Sequence, residues 1–218
     1  MNKPLLILFC CLLALPLAAA EGPGPWYGGV GLGAGDADVS PADFDDGSLT
    51  AGSIKTSGMT RSFFVGHPLP VSGLPFALAA EGGFIQFNKP ELRATSDGTG
   101  TLWGTGAVAS RGEADGIFAA AVARYPVGGG FDALARLGLL LWDSDQSLDN
   151  AVGRSGGPVL PTHTRSEDGA DFFFGLGGEY RFMGRFAARL AWTRYGLAYA
   201  TTGDVDIDVI NLSVMAWF

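Results

Sequence analysis

Six charged side chains lie within otherwise apolar segments of the chain, where charge has its strongest chemical consequences. They are Glu81, Arg124, Arg136, Glu179, Arg181 and Arg189. An isolated charge in apolar surroundings is very unfavourable, so carboxylates and guanidiniums in such places pair with one another. We predict that all six belong to one charge network, within which Glu81, Glu179, Arg136 and Arg189 form pairs. Its expected role is packing and strand register, and a gated ion path is the alternative.

The chain has few side chains suited to acid–base catalysis, because it contains only two histidines. His163 precedes Ser166 by three residues, which superficially suggests a base and its nucleophile. The segment "GVGLGA" (29–34) fits a loose dinucleotide-binding pattern, but that pattern has meaning only between a strand and a helix. We therefore predict a protein that is not an enzyme, with no catalytic residue and no cofactor.

Acidic residues cluster in polar connecting segments, where carboxylates are candidate ligands for Ca²⁺ or Mg²⁺. The clusters are Asp43, Asp45 and Asp46; Asp143 and Asp145; and Asp204, Asp206 and Asp208. None has the spacing of an EF-hand loop. We predict solvated loops and no metal site here, with a divalent-cation site as the alternative.

Alternation of apolar and polar residues predicts the elements that position the charges. Eight segments of roughly ten residues alternate as membrane-spanning strands do. They lie near 26–35, 58–67, 76–87, 115–125, 131–142, 171–182, 186–195 and 205–218. Three connections are short and rich in Gly or Pro, whereas four, near 36–57, 88–114, 143–170 and 196–204, are mostly long and polar. This pattern predicts an all-β, eight-stranded, antiparallel up-and-down transmembrane barrel with four outer loops and three short periplasmic turns.

The cost of charge in lipid determines which face of each predicted strand points inward. An arginine facing lipid at mid-bilayer costs roughly 2–4 kcal/mol. We therefore predict that all six charged side chains point into the lumen, which eight strands leave just wide enough for side chains to fill. A plugged barrel follows, and a soluble β-sandwich is the alternative architecture.

The N-terminal segment "MNKPLLILFCCLLALPLAAA" (1–20) predicts a cleaved signal peptide, which leaves residues 21–218 as the barrel domain. Both cysteines fall inside this segment, so the mature chain has no thiol. The formal net charge of −8 becomes −9 once Lys3 is removed, which argues against nucleic acid as a partner. After residue 20 no segment reaches the ~20 apolar residues of a membrane helix. We predict export to the outer membrane of a Gram-negative bacterium.

Aromatic residues near the strand ends are typical of membrane-interface girdles. The predicted interface aromatics are Trp26, Tyr125, Trp142, Phe182, Trp192 and Trp217. The chain ends in an alternating strand whose apolar positions include Leu212, Val214, Ala216 and Phe218. We expect this last strand to pair with the first and close the barrel.

Four stretches carry a resemblance to a known family: "WYGGVGLG", "ALAAEGGF", "FDALARLGLLLWDSD" and the aromatic terminal strand. With these the chain resembles the OmpA-type eight-stranded outer-membrane barrels. The resemblance implies that the terminal Phe218 and the alternate apolar residues before it are read by the outer-membrane assembly machinery. The chain stops with the barrel, so the peptidoglycan-binding domain of the two-domain members is not expected.

The function that we predict is non-enzymatic, in envelope integrity or in surface interaction and adhesion. The expected partners are outer-membrane lipid including lipopolysaccharide, the assembly machinery and an extracellular ligand of unknown identity. The alternatives are a small porin-like diffusion channel and, less favoured, a lipid-modifying barrel enzyme.

Overall fold

The computed structural model describes residues 25–87, 90–152, 159–199 and 203–218. The predicted signal peptide, 1–20, lies outside the described residues. Within the described part of the chain, no helix is long and apolar enough to cross a membrane.

The described residues form one antiparallel sheet of ten strands and one short 3₁₀ helix, Pro41–Phe44. The strands are β1 (Tyr27–Ala37), β2 (Leu49–Lys55), β3 (Ser57–Leu69), β4 (Ala77–Gln86), β5 (Glu91–Ser96), β6 (Gly106–Gly128), β7 (Phe131–Val152), β8 (Val159–Phe182), β9 (Phe186–Tyr199) and β10 (Gly203–Trp217). Eight of them, β1, β3, β4 and β6 to β10, pair in a closed ring, which confirms the predicted barrel. The sheet has ten strands instead of eight because β2 and β5 pair with each other beyond one end of the ring, where β5 also pairs with β6.

The two ends of the barrel differ in their connections. At one end three short segments, 70–76, 129–130 and 183–185, join neighbouring strands. Gly129 and Gly130 in the second turn have φ of 62° and 85°, a conformation that glycine adopts without steric cost. The other end has the longer connections, including 38–48 and 97–105. Outer-membrane barrels place their short turns in the periplasm, so we call the two ends the inner end and the outer end.

Strand alternation separates an apolar outer surface from the interior. Large apolar side chains on the outer face are more than half exposed, for example Val30, Leu137, Leu176 and Leu212. Their neighbours in sequence point inward, so Arg136 and Ser213 face the lumen. A surface of this kind is stable against lipid hydrocarbon and unfavourable against water.

The terminal strand closes the barrel, as the sequence predicts. β10 pairs with β1 from Trp217 to Ile207. Beyond the strand, the Phe218 amide donates to the Trp26 carbonyl at 2.9 Å, and the Trp26 amide donates to the Phe218 carbonyl at 3.3 Å. The last residue is therefore held by backbone hydrogen bonds and does not fray.

The long polar connections are more ordered than the sequence predicts. β6, β7 and β8 continue well past the expected boundaries, and β2 and β5 lie inside segments predicted as loops. These parts, with 41–48 and 97–105, form a body that we call the outer lobe. Its buried apolar core consists of Leu92, Trp103, Val108, Leu148 and Ala151. The expectation of extended polar loops is therefore wrong for much of this region.

Leu137 lies midway along the outward apolar face of β7 and is 61% exposed. We expect Leu137→Arg to lower the free energy of unfolding by about 2–4 kcal/mol, because its guanidinium would face hydrocarbon. Thr164→Arg, at an exposed position of β8 near the outer end, should change it by less than about 1 kcal/mol. Urea titration of the protein folded in lipid vesicles measures both values, and equal effects would contradict the assigned lipid-facing surface.

Candidate functional site

Arg189 of β9 is the centre of an ion-pair network inside the barrel. Its Nη2 and Nη1 atoms donate to Glu81 Oε1 and Oε2 at 2.7 and 3.1 Å. The same guanidinium donates from Nε and Nη2 to Glu179 Oε2 at 3.2 and 3.1 Å. Glu81 therefore takes part in a two-pronged ion pair, which is stronger and more directional than a single contact. Glu179 is the direct cross-strand neighbour of Arg189, so strand pairing itself brings these two residues together.

Two further arginines approach the same carboxylates from β6 and β7. Arg124 Nε donates to Glu179 Oε2 at 3.3 Å, and its Nη2 lies 3.5 Å from Glu81 Oε1. Arg136 Nη2 is 4.0 Å from Glu81 Oε2, too far for a hydrogen bond. The structure thus brings five of the six charged residues together. We call them the lumen network: Glu81, Arg124, Arg136, Glu179 and Arg189.

Aromatic faces cover guanidiniums of the lumen network. The Arg124 Cζ atom lies 4.6 Å from the centre of the Tyr27 ring. Arg136 contacts two rings, with its Cζ atom 5.0 Å from the centre of Phe118 and 5.1 Å from that of Phe173. Cation–π contacts of this kind partly replace the hydration that a buried cation loses.

Arg181 departs from the prediction that it joins the network. Its side chain is 56% exposed, and its Nη2 donates to Asp132 Oδ2 at 2.7 Å. It is the last charged residue of β8 before the turn to β9, so its side chain reaches the open inner mouth. Asp132, which the sequence analysis did not single out, is almost fully buried beside it.

Tyr27 is a second member of the site that sequence reasoning missed. It is fully buried, and its hydroxyl donates to Glu81 Oε1 at 2.9 Å. The ring fits because the facing residue, Gly66, has no side chain: a Cβ there would lie 2.1 Å from the Tyr27 Cζ atom. The available signal was the alternation of "WYGG", which places Tyr27 on the opposite face from Trp26.

An apolar layer fills the lumen on the outer side of the network. Its aromatic members are in contact, with ring centres of Phe87 and Tyr195 5.0 Å apart and those of Phe173 and Tyr195 also 5.0 Å apart. Leu140 and Val209 are buried in the same cluster. The lumen is therefore packed with side chains at two successive levels, first charged and then apolar.

The predicted interface aromatics divide into two groups. Trp26 and Tyr125 are about half exposed, and Phe182 and Trp192 are partly exposed. Two assignments are wrong because strand alternation points those side chains inward. Trp142 is 3% exposed and its Nε1 donates to Asp171 Oδ2 at 2.7 Å, while the Trp217 ring packs against Tyr27 with centres 5.5 Å apart. Trp142 is therefore an interior residue, whereas Trp217 lies on the inward face of β10 and remains partly exposed at the inner end.

The outer lobe is held by specific hydrogen bonds between its segments. Trp103 Nε1 donates to the Phe44 carbonyl at 2.8 Å. Asp46 accepts hydrogen bonds from the Ser48 hydroxyl at 2.6 Å and from the Leu102 amide. Partial burial raises the pKa of Asp46, but these hydrogen bonds outweigh it and leave the pKa below its ordinary value. Asp46 thus joins 41–48 to 97–105.

A recess of about 70 Å³ opens between the outer lobe and the ring. Its apolar lining includes Val39, Phe44, Ile54, Leu92, Val205 and Ile207. Charged groups at its wall include Glu113, Arg165 and Glu167. This is a concave site with apolar walls and a few polar groups, the composition common in small-molecule sites.

The catalytic pattern in the sequence is not assembled in the structure. His163 and Ser166 are three residues apart on one strand, β8, so their side chains point to opposite faces. Ser166 instead donates to Asp145 Oδ1 at 2.5 Å. The segment 29–34 continues β1 and starts no helix. These groups lack the geometry of a nucleophile with its base or of a dinucleotide site.

Several members of the acidic clusters serve local structure. Asp45 accepts from the Gly47 and Leu49 amides, and Asp208 pairs with Arg194 at 2.6 Å. The side chain of Asp204 lies outside the described part. Among the described residues, no three His, Cys, Asp or Glu side chains form a group able to hold a metal ion.

Glu81→Gln tests the lumen network. We expect it to lower the free energy of unfolding by about 3–5 kcal/mol, since it leaves three buried arginines with a single carboxylate. Glu91→Gln is the matched control: Glu91 pairs with Arg93 and Arg111 near the outer end, where solvent screens the pairs, so this change should leave the free energy of unfolding almost unaltered. Chemical unfolding in detergent micelles measures both, and a loss below about 1 kcal/mol for Glu81→Gln would show that the network is dispensable.

Comparison with known proteins agrees with this architecture. The family model described as outer membrane protein beta-barrel domain matches residues 5–218. The crystal structure of Neisserial surface protein A (NspA) aligns with a TM-score of 0.51 and 12% identity, covering 91% of this chain and 100% of that one, which shows the fold. No curated protein matches the chain significantly in sequence.

Two further solved structures are similar. Ail, the attachment invasion locus protein of Yersinia pestis, aligns with a TM-score of 0.43 and 10% identity, covering 88% of this chain and 98% of that one. The N-terminal beta-barrel domain of Pseudomonas aeruginosa OprF aligns with a TM-score of 0.42 and 13% identity, covering 90% and 99%. Because the family model spans nearly the whole chain and the structure is a closed barrel with an apolar outer face, this protein belongs to the outer membrane protein beta-barrel domain family of the Gram-negative outer membrane.

Proposed function

We propose that the barrel is a non-enzymatic anchor that presents the outer lobe for surface interaction and thereby also contributes to envelope integrity. The observation that carries this proposal is the contrast between the two parts. The lumen is filled with side chains, whereas the lobe is a folded body with its own core at the outer end. Transport needs an open path through the lumen, whereas recognition needs an ordered surface, which the outer lobe has.

The packing of the lumen supports a closed barrel. Arg189, Glu81 and Glu179 are each almost fully buried at the centre of the ring. The aromatic layer beyond them adds a second barrier toward the outer end. A hydrated solute would have to break ion pairs and displace several rings, and both changes are costly.

The order of the outer lobe supports a role in recognition. Irregular loops bind by folding and lose conformational entropy when they do so, whereas a pre-ordered surface avoids most of that cost. Trp103 and the hydrogen bonds of Asp46 hold two long connections in one arrangement. The recess beneath them is concave, with apolar walls and charged groups beside them, so it is the place that we assign to an extracellular ligand.

The remaining partners follow from the outer surface and the last strand. The outward apolar face suits outer-membrane lipid, including lipopolysaccharide in the outer leaflet. The terminal residues that we assign to recognition by the assembly machinery are Leu212, Val214, Ala216 and Phe218. Leu212, Val214 and Phe218 are half exposed or more, which leaves them accessible to that machinery.

A planar-bilayer recording tests the closed lumen. We expect no permanently open conductance from the purified protein, because charged and apolar side chains occupy the lumen at two levels. A porin inserted in the same bilayer is the positive control for detection. Large steady conductance steps from the folded barrel would favour the diffusion channel over a surface anchor.

Trp103→Ala tests the role of the lobe. Removing this indole from the lobe core costs about 3–5 kcal/mol of local packing. We therefore expect cells that express the variant to adhere to cell monolayers and coated surfaces much less than cells that express the wild type. Trp26→Ala is the matched control. Trp26 is half exposed and lies at the inner end, so this variant should keep the wild-type adhesion.

Heat-modifiable migration on gels must first show that the outer membrane contains equal amounts of the folded wild type and of each variant. Adhesion that is unchanged by Trp103→Ala would exclude the lobe as the binding element. Altered sensitivity to detergent without any adhesion would leave envelope integrity as the sole function.

A further inference from the structure

The lumen network contains an unbalanced positive charge. Its three arginines, Arg124, Arg136 and Arg189, face two carboxylates, Glu81 and Glu179. Arginine stays protonated in proteins, so protonation changes at the carboxylates could only increase the excess. Neutralisation must therefore come from another group.

The neighbouring titratable groups do not supply that charge. The Tyr27 hydroxyl keeps its proton and donates a hydrogen bond to Glu81, so it carries no charge in this arrangement. Asp132 is matched by Arg181, whose Nη2 lies 2.7 Å from its carboxylate. Among the described residues in contact with the network, no further carboxylate reaches the three arginines.

Arg136 is the arginine of the network that makes no hydrogen bond to either carboxylate, whereas Arg124 and Arg189 both do. Its side chain is 10% exposed, and its contact with Glu81 is 4.0 Å long. Its Nε and Nη2 atoms are buried and make no hydrogen bond with any described group. Phe118 and Phe173 both contact its guanidinium, so the protein surrounds this cation with apolar rings and leaves donors unused.

A small enclosed cavity lies against Arg136 and Arg189. It holds about 20 Å³ and is also lined by the polar side chains of Ser62, Thr193, Asn211 and Ser213. About 10–15 Å³ suffices for one water molecule, so the space takes a single small particle.

Hydrogen bonds among the polar lining leave a donor for that particle. Ser213 donates to Asn211 Oδ1 at 2.6 Å, and Asn211 Nδ2 donates to Ser62 Oγ at 3.3 Å. Ser62 is the last acceptor in this series of hydrogen bonds, so its own hydroxyl can still donate one. The cavity thus combines two guanidiniums with a hydroxyl donor.

We propose that this cavity binds a monatomic anion of the halide type, with chloride as the natural occupant. The anion accepts hydrogen bonds from Arg136 and Ser62 and balances the charge of the lumen network. A water molecule satisfies the same donors but leaves the net charge in a site of low polarity, where it is costly. The site is structural, since it stabilises the plug from within.

A halide titration of thermal unfolding tests the site. The protein in detergent micelles is melted in increasing NaCl or NaBr, with ionic strength held constant by sodium gluconate, whose anion exceeds the cavity. We expect a saturable rise in Tm for the wild type. Arg136→Met should abolish this rise, whereas Arg181→Met, which removes the same charge at the exposed inner mouth, should keep it.

A second measurement does not depend on any variant. Crystals of the wild-type protein grown in bromide should show an anomalous peak beside Arg136. A halide-independent Tm of the wild type, a rise retained in Arg136→Met, or bromide crystals without that peak would each overturn the proposal and assign the cavity to water.

Discussion

Closure of the hydrogen-bonded ring is the constraint on which the rest of this structure depends. In a bilayer every backbone N–H and C=O must find a partner within the protein, so a sheet can cross it only when its first and last strands pair. Here β1 pairs with β10 along its whole length, and the pairing continues to Phe218. Eight strands in the ring then leave a lumen so narrow that side chains fill most of it.

The narrow lumen explains why the interior residues take this form. Glycines on the inward face of β1 leave room for larger partners: a Cβ at Gly31 would lie 2.7 Å or less from the polar atoms of Ser62, Asn211 and Ser213. Long arginine side chains cross the remaining space and meet carboxylates from other strands. Paired in this way, charges that are costly alone fix the register of the strands and exclude water.

Much of the membrane-embedded part was predictable from the sequence, because alternation has a large energetic consequence there. The expected boundaries of β7 and β9 at the inner end, 131 and 186, are those of the structure. The same alternation, applied to single residues, would also have placed Trp142 and Trp217 inside. An aromatic residue near a strand end is therefore an interface residue only when its side chain also lies on the outward face.

Other features were not predictable because they depend on contacts between distant segments. Tyr27 reaches Glu81 across 54 positions of sequence, through the space left by Gly66. Trp103 packs in the lobe with Leu92 and Leu148, which belong to different strands. No local pattern near these residues indicates their partners.

The pattern of polarity inverts along the barrel axis, and this inversion explains why the lobe resembled loops in the sequence. Within the membrane the outward face must be apolar and the interior can be charged. Beyond the outer rim water replaces lipid, so β6 and β7 carry Arg111, Glu113, Asp143 and Asp145 outward while Val108 and Leu148 are buried. The strands are continuous across this boundary. The outward apolar residues therefore stop where water replaces lipid, although the strands of the sheet continue beyond that level.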